Sequence, residues 1–257
     1  MRSFRLAVAV LLLLPAAAPI VAAQTGSAPK DDRKEVATLV TDLGKDVTAK
    51  KDDDAVGKID QLVKEFASSG PKDKKKIADA IVKALKANRL IPEGSKEQPK
   101  LFVAAVTALG QLGEFGAPPL KEAFEAKDWK KDLAFRGKIL KQLGTTKSPS
   151  AVDFLLEVYN HKDYELVADA AAALGSYSSA PEEIRKRIVE KTTKHLNTAA
   201  GSAADFQDPN YSEFKRKYET ISPAMIETLQ KLTNQTFREP REWEKWWNEH
   251  KSKPWTT

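Results

Sequence analysis

The chain has 257 residues, and its 42 Lys and Arg against 36 Asp and Glu give a formal net charge of +6. Apolar residues at 41% can fill a core, while 30% charged residues leave a heavily solvated surface, as suits an array of thin layers. The absence of cysteine excludes disulfides, thiolate metal sites, cysteine nucleophiles and lipid attachment through an N-terminal cysteine, and the mild basicity does not by itself imply nucleic acid.

Met1-Arg2-Ser3-Phe4-Arg5 is followed by an apolar run from Leu6 to Leu14, a break at Pro15 and small residues up to Val21-Ala22-Ala23. A basic head, an apolar core and a small-x-small site make a secretory signal peptide over 1–23. Cleavage is expected after Ala23, with Ala16-Ala17-Ala18 as the alternative site. An uncleaved N-terminal membrane anchor over Leu6 to Ala23 is the alternative fate, which Pro15 and Pro19 weaken. Arg2 and Arg5 are not adjacent, so a twin-arginine route is not indicated. The chain is therefore expected to be exported, periplasmic or secreted. Residues 24–32, with Gly26 and Pro29, read as a flexible polar linker.

Helical periodicity begins near Arg33, where Val36, Leu39, Val40 and Leu43 share one helix face. Gly44 is placed to cap that helix. A second helix is predicted from about Asp53 to Ala67, and a third from Lys72 to about Asn88 after a turn at Ser68-Ser69-Gly70-Pro71. Residues 89–98, with Pro92 and Gly94, read as an irregular insertion.

Three blocks of equal length follow, Leu101–Lys131, Asp132–Lys162 and Asp163–Thr193. Each carries Leu-Gly at one position, Leu112-Gly113, Leu143-Gly144 and Leu174-Gly175, so the glycines recur 31 residues apart. A period in that range signals stacked supersecondary units. Each block reads as helix, turn, helix. The glycine permits a left-handed turn after the first helix. A proline (Pro118-Pro119, Pro149 after Ser148, Pro181) opens the second. The alanines at 168 and 170–173 make the third block's first helix slim, for close packing or, as the alternative, to leave a shallow groove on the inner surface. Residues 197–208 read as a loop, Tyr211 to Ile221 as a helix, Ser222-Pro223 as the start of another, and Pro240 as the start of a last short helix. The expectation is an all-α chain. It comprises an α-α solenoid of antiparallel hairpins over 33–196, about four to five repeats, and a helical cap over 209–257 that ends in a Trp-rich helix.

The columns Ala104-Ala105, Ala108-Leu109 and Leu112-Gly113, matched by Leu143-Gly144 with Pro149 and Leu174-Gly175 with Pro181, resemble HEAT-type repeats, the helical-hairpin class related to armadillo repeats. The resemblance covers roughly residues 53–193. The period is shorter than the usual HEAT length of about 40 residues, and tetratricopeptide and ankyrin signatures are missing. The tail, Leu232-Thr233-Asn234-Gln235, Phe237 and Trp243-x-x-Trp246-Trp247, is similar to the end of many exported bacterial HEAT-repeat proteins. The resemblance implies an architecture and no particular ligand.

Chemistry is sparse. His161, His195 and His250 are far apart and in no metal spacing. No nucleophile elbow, phosphate loop or dinucleotide fingerprint appears, so no enzyme activity, cofactor or metal is expected. Trp243, Trp246 and Trp247 form the most pointed cluster, because i+3 and i+4 spacing puts at least two rings on one face. They read either as an aromatic platform for a sugar or peptide, or as the plug that a terminal repeat requires. Basic runs occur at Lys72–Lys76, Lys127–Lys131, Arg185–Arg187 and Lys215–Lys217. Lys215, Arg216 and Lys217, flanked by Phe214 and Tyr218, are candidates for partner binding. Export argues against nucleic acid as that partner. The expected function is a non-catalytic scaffold whose concave face binds a protein or peptide of the cell envelope. A module for an anionic polymer or membrane surface is the alternative. A helical-repeat lyase, suggested only by resemblance, is third.

Overall fold

The computed structural model describes residues 29–89 and 98–255. The expected signal peptide, the first part of the linker and nearly all of the 89–98 insertion lie outside the described residues. Those that are described form eleven α-helices and, apart from one isolated bridge between Lys30 and Ser69, no β-structure. The helices are α1 (Lys34–Thr48), α2 (Asp52–Phe66), α3 (Pro71–Leu85), α4 (Lys100–Gln111), α5 (Ala117–Glu125), α6 (Leu133–Thr145), α7 (Pro149–Glu157), α8 (Tyr164–Leu174), α9 (Glu182–Ala204), α10 (Tyr211–Thr233) and α11 (Pro240–His250).

Each helix exists because an apolar stripe at 3.6-residue spacing finds a neighbour to bury it. In α2 the stripe is Ala55, Ile59 and Leu62; in α6 it is Phe135, Ile139, Leu140 and Leu143; in α8 it is Leu166, Val167, Ala170, Ala171 and Leu174. The main contacts join helices one or two steps apart in the chain. One row runs α2, α4, α6, α8, α10; α5, α7, α9 and α11 follow in a second. A single hydrophobic core is continuous from Val36 to Trp243.

The Leu-Gly column holds, but its three glycines do different jobs. Gly113 is left-handed (φ 58°), as expected. Gly144 lies inside α6, and a Cβ there would stand 2.5 Å from the Ala173 carbonyl oxygen of α8. The left-handed residue that ends this stretch is Lys147 instead. Gly175 opens a short 3-10 turn and sits against Thr228 of α10, whose Oγ1 a Cβ would meet at 3.1 Å. The second and third glycines therefore serve close approach of helices rather than a turn.

Other boundaries move for packing reasons. Gly44 does not cap α1, which runs on to Thr48 because Val47 continues the stripe against the core. The loop expected over 197–208 shrinks to 205–210, since Leu196 and Ala199 are buried and keep α9 helical to Ala204. Pro223 lies inside α10 rather than starting a helix. Burial of Ile221, Met225, Leu229 and Leu232 along one face outweighs the roughly 3 kcal/mol penalty of an interior proline. Ser148 precedes α7, yet its hydroxyl pairs with Ser150 at 3.0 Å instead of capping an amide.

The end of the linker is docked. The Lys30 carbonyl accepts from Gly70 N–H (2.8 Å), and the Asp31 carboxylate from Asp73 N–H (3.1 Å). Asp73 is fully buried. Burial raises its pKa, but hydrogen bonds from Arg33 N–H and the Lys76 ammonium more than reverse this and hold it below the usual carboxylate range. After α3, Arg89 reaches back to Asp52 (2.7 Å) and the Val47 carbonyl (2.9 Å), tying α3 to the α1–α2 turn.

Two glycine substitutions should separate these roles in urea denaturation. Gly144→Ala is expected to destabilise by about 1–3 kcal/mol, because backbone must move to admit the methyl group. Gly44→Ala, where a Cβ meets nothing within 4 Å, should stabilise by about 0.5–1 kcal/mol.

Candidate functional site

The residues that gather into a site lie where α9, the end of α10 and α11 meet. Asn234, in a left-handed conformation (φ 56°), ends α10 and turns the chain toward Phe237. Pro240 occupies the first position of α11, and Glu239 and Glu242 cap it reciprocally. Asn197 of α9 donates to the Pro240 carbonyl at 3.2 Å. Trp243 is then fully buried, edge-on to Phe237 with ring centroids 5.1 Å apart.

One helical turn on, Trp246 stacks on His250 at 4.6 Å, nearly parallel. After α11 the chain folds back onto α9. Trp255 donates its backbone N–H to Glu182 (3.1 Å) and its indole N–H to the His250 carbonyl (3.2 Å), and the Lys186 ammonium donates to the Lys253 carbonyl at 2.7 Å. The Lys186 ammonium, with the Trp255 N–H, holds Glu182 below its ordinary pKa. The Trp255 ring lies 5.3 Å from Trp246 and 6.3 Å from Trp247.

These contacts leave a groove of about 480 Å³ lined by Arg185, Asn234, Gln235, Trp246, His250 and Trp255, with Ser178 and Ser179 at its edge. Its lining combines aromatic rings, amides and hydroxyls with two cations, the buried Arg185 and the exposed Lys231. Aromatic rings with a few polar groups are the kind of lining that can hold and orient a ligand.

Of the residues singled out in the sequence, the structure brings Trp246 into this groove. Trp243 is the plug beneath it, and Trp247 is half-buried beside Trp255. Lys215, Arg216 and Lys217 are elsewhere, on α10. Arg216 and Lys217 lie over the Tyr164 ring at 5.6 and 5.7 Å. Lys215 lines a separate cavity of about 610 Å³ with Tyr211 and Tyr218.

No protein-family model matches the chain, and no similar curated protein or solved structure is found. The functional reading of the groove therefore rests on its own geometry.

Sequence reasoning missed Arg185, His250 and Trp255. The i, i+4 spacing of Trp246 and His250 was a usable signal. Arg185 had none, since the run Arg185–Arg187 presents it as one of three like charges.

The histidines do not converge, and among the described residues no cluster of metal-ligating side chains occurs. His161 lies between Arg136 (3.3 Å to Nε2) and the backbone N–H of Asp163 (3.0 Å to Nδ1); burial and then the Arg136 charge lower its pKa. His195, beside Tyr159 on the α7–α9 side, is lowered to about 4 by burial and then by Lys217.

An imidazole lowered in the fold lets the unfolded chain bind the extra proton between pH 6.5 and about 4. The stability it contributes is thus full above pH 6.5 and is lost as pH falls toward about 4. His195→Gln should flatten that loss by on the order of 1–2 kcal/mol, discounted for the ring's partial exposure. Urea midpoints measured across this pH range would read it; an unchanged slope would contradict it.

Proposed function

We propose that this chain is an exported, non-catalytic interaction protein that takes a segment of a protein partner into the aromatic groove formed by α9, α10 and α11. Its helices are read as a HEAT-like α-solenoid of about four to five hairpins, with α11 and the tail as its terminal cap. The packing of each helix on those one or two steps away supports that architecture, and so does the 31-residue period. Export rests on the N-terminal sequence. It predicts a mature chain that begins at Gln24, which an intact mass after expression with the leader would check.

The observation that carries the binding role is the arrangement of Trp246, His250 and Trp255 around a cavity rather than in the core. Aromatic side chains with few rotatable bonds dominate binding energetics where they line a preformed groove. The alternative of an anionic polymer gains less support. Members of the runs Lys72–Lys76 and Arg185–Arg187 are matched by acids on the same or a neighbouring helix: Lys75 with Asp79 (3.1 Å), Lys186 with Glu182 (2.7 Å) and Arg187 with Asp153 (3.1 Å). The four runs sit on α3, between α5 and α6, on α9 and on α10, spread along the packing order.

Selection from a random-peptide display library would test the reading. Enriched peptides should lose at least tenfold in affinity when Trp246 and Trp255 are both changed to Ala, and keep it when Lys215, Arg216 and Lys217 are all changed to Glu. The reverse pattern, with binding abolished by high salt, would replace this reading with the polyanion one.

A further inference from the structure

Three of the described arginines face a carboxylate. Arg33 pairs with Glu65 (2.6 Å), Arg89 with Asp52 (2.7 Å) and Arg187 with Asp153 (3.1 Å). Arg136, also buried, is satisfied otherwise: it donates to the Phe124 carbonyl at 3.2 Å and lies 4.0 Å from the Phe124 ring centre. Arg185 has neither arrangement. It is only 9% exposed, yet its one side-chain hydrogen bond among the described residues is a long one, from Nη1 to the Leu232 carbonyl at 3.4 Å. Its Nε–H is buried without a partner among the described residues. Glu182, one turn before it on α9, is already engaged by Lys186 and by the Trp255 N–H.

Glu182 acts on Arg185 only through space and is paired directly with Lys186, and a buried guanidinium with no direct ion pair among the described residues is costly to hold, since its desolvation is repaid only in part. Arg185 is one of the residues that line the groove. The Trp255 ring covers it, 5.6 Å from the guanidinium carbon to the ring centre. With Nη1 turned to Leu232, the edge left over is the one shared by Nε and Nη2. Two parallel N–H bonds from one guanidinium edge match the two oxygens of a carboxylate.

We propose that Arg185 is the seat for a carboxylate on a bound peptide, with Trp246 and Trp255 receiving the apolar side chain next to it. This rests on the reading of the groove as a peptide-binding site and specifies what that peptide must carry. A singly charged carboxylate fits better than a phosphate. Among the described residues, Lys186 and Lys231 near the groove are paired with Glu182 and Glu227, each at 2.7 Å, whereas Arg185 has no direct carboxylate partner there. The amides of Asn234 and Gln235 provide uncharged partners for peptide backbone.

The test uses the full mature chain and NMR of the Arg185 Nε–H and the Trp246 and Trp255 indole N–H signals. Three probes are titrated: acetyl-Ala-Phe-Ala with a free C-terminal carboxylate, the same peptide as its C-terminal amide, and acetyl-Ala-Phe-Glu amide. The free-carboxylate peptide, the Glu peptide or both should shift the Arg185 signal saturably, and the neutral amide should bind at least tenfold more weakly. Which of the two charged probes binds assigns the carboxylate to a chain terminus or to a side chain. Arg185→Gln should erase the preference. Arg185→Lys, which keeps the charge but not the two-donor edge, should weaken it and serves if the Gln variant does not fold. Equal binding of all three peptides, with indole shifts, would overturn the carboxylate seat and leave the peptide groove standing. Failure of all three to bind would overturn the seat, and the display selection would then decide the broader reading on its own.

Discussion

The C-terminal end of this molecule depends on the burial of one side chain, Trp243. Helix α11 has eleven residues and is rich in charge, too short to be stable alone in water. It is held because Trp243 is fully buried against Phe237 and the face of α9. An indole removes about 150–250 Å² from water, which at about 25 cal/mol per Å² is worth roughly 4–6 kcal/mol. Its N–H finds no partner among the described residues, and an unmade bond of that kind costs about 1–3 kcal/mol. The apolar term wins. With α11 fixed, Trp246 and His250 are placed on its open side, and the tail can return to α9 so that Trp255 closes the groove.

Along the rest of the chain the constraint is distance between helices. Alanines in α8 and Gly144 in α6 let those two helices approach until the Ala173 backbone fills the space a Cβ would take. The Leu-Gly repeat was plain in the sequence, and so were most helices, because apolar stripes at 3.6-residue spacing are local. What each glycine does was not local. Only the neighbouring helix shows that Gly113 turns the chain while Gly144 and Gly175 admit a neighbour. The same applies to Pro223 and to the end of α9, where tertiary burial overrides a sequence that reads as a break.

The site shows a similar division. Trp246 was legible from its spacing to Trp243, but the two residues have opposite fates, one lining a groove and one filling the core. Arg185, Lys186 and Arg187 read as one basic run. Successive helical residues point about 100° apart, so the run splits three ways. Arg185 turns inward beneath Trp255, Lys186 reaches Glu182 and Lys253, and Arg187 pairs with Asp153. A charge run on a helix is thus not a charged patch: one of its three members has left the surface.

The central claim is that Trp243 holds α11 on α9 and thereby builds the groove. Hydrogen exchange of the Trp243→Ala variant measures this most directly. The account predicts that amides of α11 and of residues 251–255 lose protection while those of α4, α6 and α8 keep theirs. Unchanged protection in α11, or an equal loss throughout the chain, would contradict it.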